Sequence, residues 1–88
     1  MKVLKFGAVW CSGCLLMKPL WEQIEKEYKW LETEYYDVDE REDLAEKYEI
    51  TDFPCFIFLD KKGKEIERMY GEILKDKIIE KIDELKDK

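Results

Sequence analysis

The sequence predicts an α/β fold in the order βαβαββα, a four-stranded mixed sheet flanked by helices. Three observations predict it. An apolar run over residues 3–8 leads directly into a segment where Leu16, Leu20, Trp21, Ile24 and Tyr28 recur at three- and four-residue spacing, the pattern of a strand followed by an amphipathic helix. The run Cys55-Phe56-Ile57-Phe58-Leu59 contains no polar residue, as expected of a central strand covered on both faces. Asp60-Lys61-Lys62-Gly63 then supplies turn chemistry ahead of a more polar stretch and a last amphipathic segment, which reads as hairpin, edge strand and helix.

Taken in order, the first strand ends near Ala8 and the chain turns into the first helix at Cys11. Lys18, Glu22, Glu25 and Lys29 alternate with the apolar positions of that helix. Pro19 falls inside it, removing one helical hydrogen bond and bending the helix over a twisted sheet. Residues 34–39 have strand composition, and the acidic cluster over residues 39–43 suits the N-terminus of a short second helix holding Leu44, Ala45 and Tyr48. Two strands joined by a helix imply a right-handed parallel crossover. Residues 50–54 break the pattern before the apolar strand, residues 64–70 form the edge strand, and the last helix follows Gly71 with Leu74, Ile78, Ile82 and Leu85 on one face.

The 88 residues make one small domain, residues 1–88, with no room for a second. Hydrophobic residues at 45%, with only two Pro and four Gly, place the chain among globular rather than disordered sequences. The formal net charge of -6 argues against nucleic acid or an anionic membrane as partner. No apolar run is long enough to span a bilayer, and the first residues lead straight into the first strand rather than forming a signal peptide, so the expected location is cytoplasmic.

Cys11 and Cys14 form a Cys-x-x-Cys pair between strand and helix. Cys14 lies one helical turn beyond Cys11, close enough to close a small disulfide ring. Unpaired N–H groups and the positive end of the helix dipole would face the Cys11 sulfur and favour its thiolate. By itself such a pair serves redox or metal chemistry. A closed zinc site needs four ligands, and this chain has no His and only one further cysteine, Cys55. A copper chaperone also carries Cys-x-x-Cys after its first strand, but in the order βαββαβ.

Trp10-Cys11-x-x-Cys14, Pro19 five residues later, Phe53-Pro54 before an apolar strand, Gly63 in the hairpin and Gly71 after the last strand together resemble the thioredoxin family. The resemblance covers nearly the whole chain and is to a minimal thioredoxin-like fold without an extra N-terminal strand and helix. It implies that Cys11 is the exposed nucleophile, Cys14 the resolving thiol, and Pro54 a cis proline facing the disulfide. Phe53 would pair its backbone with an extended substrate, while Trp10 and Gly71 help form the docking groove. Ser12 and Gly13 stand where the family usually has Gly-Pro, so the family's reduction potential is not carried over. Lys5 stands where the family usually has a buried aspartate, and the usual lysine partner position is Tyr35. Lys5 is expected to reach solvent or to pair with an acidic neighbour such as Asp37.

The expected function is therefore thiol–disulfide exchange with protein disulfides, with the Cys11–Cys14 couple as redox group and no bound cofactor or metal. Electrons would arrive from a thioredoxin reductase-like protein or glutathione, and the chain would act as a monomer. The alternatives are a copper- or zinc-binding Cys-x-x-Cys protein and a non-catalytic adaptor of the same fold. Cys55 is expected to be a small inert core residue, and Trp21 and Trp30 to serve packing.

Overall fold

The computed structural model describes residues Met1–Lys88. Its elements are β1 (Lys2–Gly7), α1 (Ser12–Glu27), β2 (Glu32–Asp37), α2 (Glu42–Lys47), β3 (Cys55–Leu59), β4 (Glu65–Tyr70) and α3 (Lys75–Leu85). The sheet runs β2-β1-β3-β4. β1 pairs parallel with β2 and antiparallel with β3, and β3 pairs antiparallel with β4. The β1–β2 and β3–β4 pairings follow from their connections, since the helical crossover through α1 returns the chain parallel and the short hairpin between β3 and β4 must reverse it.

Strand alternation divides the apolar side chains between two layers. Val3, Phe56 and Phe58 face α1 and α3, meeting Met17, Trp21, Ile24, Ile78, Ile82 and Leu85. Leu4, Phe6, Cys55, Ile57 and Leu59 face the other way, together with Ala8, Cys11 and Val38. All five residues of β3 are buried, as its composition predicts. A fully buried Ile57 or Phe58 contributes about 1.5–3 kcal/mol by leaving water.

Several expectations are corrected. β2 begins two residues earlier than its composition suggested; Val38, just past its end, is still buried and donates its N–H to the Gly7 carbonyl at 2.9 Å. Met17, not Leu16, joins Trp21 and Ile24 on the inner stripe of α1, and Leu16 is 63% exposed. Leu74 is likewise exposed, because it caps α3 ahead of the buried Ile78, Ile82 and Leu85. Trp30 packs edge-on against Tyr28 with half its surface in solvent. Lys5 pairs with Glu25 at 2.6 Å rather than with Asp37. Its position on β1 has the same parity as Val3, so it points toward α1, where Glu25 lies; Thr33 donates a second hydrogen bond to the same carboxylate oxygen at 2.9 Å.

Candidate active site

β1 delivers the chain to the site. The Cys11 N–H donates to the Ala8 carbonyl at 3.2 Å, closing the turn that leads into α1. Cys11 is the N-cap, with extended backbone, and its sulfur accepts the Cys14 N–H at 3.2 Å. A cysteine sulfur thereby occupies the place of a capping oxygen. The first turn of α1 holds no acidic residue to oppose a sulfur anion. Cys11 and Cys14 are joined as a disulfide, with Cα atoms 5.3 Å apart.

Opposite this turn, the Phe53–Pro54 peptide is cis. The Pro54 carbonyl accepts the Gly71 N–H at 2.8 Å, tying the segments before β3 and after β4 together. Trp10 is 62% exposed, donates its indole N–H to Asp39 at 2.9 Å, and meets Phe53 edge-on with ring centroids 5.5 Å apart. A groove of about 500 Å³ brings together Trp10, Cys11, Ser12, Gly13, Phe53, Pro54 and Gly71. It also includes Glu72, which the sequence reading missed although it adjoins a residue already singled out.

Two predicted site residues lie elsewhere. Cys14 and Lys5 border a second cavity of about 420 Å³, shared with Trp21, Glu25 and Tyr35. Gly7 permits this arrangement: a Cβ there would stand 2.9 Å from the Tyr35 hydroxyl and 3.1 Å from the Cys14 sulfur. Exposure does not rank the cysteines as the resemblance implies, since Cys11 is only 9% exposed and Cys14 is half-buried. The difference lies in what each borders, Cys11 the docking groove and Cys14 the cavity behind it.

Cys55 follows Pro54 but turns inward and is fully buried. Burial, the largest influence, pushes its thiol up to about 11, against a smaller opposing pull from Arg68. No three His, Cys, Asp or Glu side chains are grouped to hold a metal ion. No helix is long and apolar enough to cross a membrane.

A cysteine pair capping a helix at the edge of a βαβαββα sheet, opposite a cis proline, defines a thioredoxin-fold thiol–disulfide oxidoreductase. The family model described as Thioredoxin matches residues 1–84. Thioredoxin H-type of Fagopyrum esculentum is 35% identical over 80 residues, covering 91% of this chain and 67% of the relative. Thioredoxin-1 of Caenorhabditis elegans is 36% identical over 83 residues, covering 91% and 71%. The crystal structure of a thioredoxin from Nicotiana alata superposes with a TM-score of 0.88 at 34% identity, over 96% of this chain and 71% of that one. The chain belongs to the thioredoxin family. Its redox group is the Cys11–Cys14 couple, and family membership implies disulfide-bearing protein substrates and a reductase.

Proposed function

We propose that Cys11 is the attacking sulfur and Cys14 the resolving one in the reduction of protein disulfides. The observation that carries this assignment is that Cys11 alone of the pair borders the groove while its sulfur receives a helix N-terminal N–H. That donor and the helix dipole stabilise negative charge on sulfur. The Cys11 thiolate attacks one sulfur of a target disulfide, and the other target sulfur leaves as a thiolate that takes up a proton. Cys14 then loses its proton and attacks the Cys11 sulfur of the mixed disulfide. The second target sulfur departs, also to be protonated. Two electrons have passed to the target, and the Cys11–Cys14 bridge has formed.

Trp10 and Phe53 give the groove an apolar wall, and Phe53, just ahead of β3, is placed to run beside an extended substrate segment. Ser12 and Gly13 form the floor between the cysteines. Lys5 supports the cavity behind Cys14 through its pair with Glu25. The chain acts as a single domain and a monomer in the cytoplasm, re-reduced by a thioredoxin reductase-like protein or glutathione, without a bound cofactor, nucleic acid or membrane. Reduction of a disulfide-bonded protein with dithiothreitol as electron source tests the reading; retention of the fold without turnover would leave the adaptor role instead. Cys14→Ser is expected to trap a mixed disulfide through Cys11 and Cys11→Ser to trap little. The opposite trapping pattern would exchange the two roles.

A further inference from the structure

The groove has one charged residue in its lining, and that charge is negative. A Cβ built on Gly13 would lie 3.3 Å from Glu72 Cγ and 3.4 Å from its Oε1, so the Glu72 side chain lies across the turn that separates the two cysteines. Its place is held from both sides. The preceding Gly71 donates its N–H to the Pro54 carbonyl at 2.8 Å, and the following Ile73 directs its N–H at the Met17 sulfur at 3.5 Å. No cation neutralises Glu72: Arg41 is paired with Asp43, and Lys75 with Glu27. Asp39, which accepts the Trp10 indole N–H, and the exposed Asp52, next in sequence to Phe53, add charge of the same sign at the Trp10–Phe53 wall.

We infer that Glu72 is a specificity-determining residue that favours disulfide segments carrying a lysine or arginine beside the cysteine under attack. The inference rests on the exchange reading above and names the class of substrate that this groove selects. A basic neighbour meets the carboxylate while the target sulfur is at Cys11, whereas an acidic neighbour meets repulsion from it. A solvent-exposed carboxylate lining an open groove supports a modest, salt-sensitive preference, on the order of two- to fivefold in rate.

The test uses pre-reduced protein, freed of donor, and two synthetic peptides with an internal disulfide that differ only in Lys or Glu beside one cysteine. Peptide dithiol is followed by mass. The Lys peptide is expected to react about two- to fivefold faster at low ionic strength, with the ratio collapsing toward one at about 0.5 M salt. E72Q should remove the preference and E72K should reverse it, with circular dichroism melts showing that both variants fold. Equal rates for the two peptides, or a ratio unchanged in E72Q, would overturn the inference while leaving exchange intact. Reduction of neither peptide would overturn the exchange reading and this inference together.

Discussion

Cys11 and Cys55 lie in the same apolar layer, on the same side of the sheet, yet their surroundings set their thiols apart. Cys11 caps a helix, accepts an N–H at 3.2 Å and borders an open groove. Cys55 is sealed in β3 with no exposed surface, and burial raises its thiol to about 11. Being surrounded by apolar side chains therefore does not decide reactivity. What decides it is whether a donor faces the sulfur and whether a partner can reach it.

The largest effect expected from this contrast is on turnover. Cys11→Ser should lower disulfide reduction by about three orders of magnitude, whereas Cys55→Ala should leave the rate within about twofold, read in the dithiothreitol-driven assay. Comparable losses in both variants would break the contrast. Next comes labelling of the reduced protein at neutral pH. Cys11 should react with iodoacetamide, and Cys55 should react at least about a hundredfold more slowly, through unfolding. Mass mapping of the labelled peptides checks this.

A third expectation concerns pH. Because the folded Cys55 thiol lies above its ordinary value of 9.0, at about 11, the unfolded chain releases this proton first as pH rises. The unfolded state is then favoured progressively between those two values. The contribution from Cys55 is fully present below about pH 9 and is lost by about pH 11, on the order of 2 kcal/mol. Denaturant titrations of wild type and Cys55→Ala across this window should converge by that amount. The smallest effect is at the rim of the groove. Asp39→Ala frees the Trp10 indole at a cost of about 0.5–1.5 kcal/mol, and should raise the KM for a protein disulfide by about twofold while leaving the alkylation rate of Cys11 unchanged.

Much of this was legible along the chain. The strand-to-helix passage at Cys11, the buried run of β3 and the Gly63 hairpin each announce themselves within a few residues. The phase of α1 was harder to read, because Cys14, Leu15, Leu16 and Met17 form an unbroken apolar run and three-to-four spacing can start from several of them. Packing settled it in favour of Met17, leaving Leu15 and Leu16 exposed. Lys5 found Glu25, 20 positions away, because the crossover lays α1 over β1. Glu72 carries no local signal of its own, and only the approach of its segment to Gly13 and Pro54 makes it part of the groove.

The sequence by itself determined the element order, the fully apolar strand and the pair of sulfurs one turn apart, since periodicities of two and 3.6 residues and the spacing of near neighbours are short-range properties. The tertiary structure alone decided which opening each cysteine borders, which acid holds Lys5 and which carboxylate overlooks the site. Those are meetings between residues far apart along the chain, and they exist only once sheet and helices have been packed against one another.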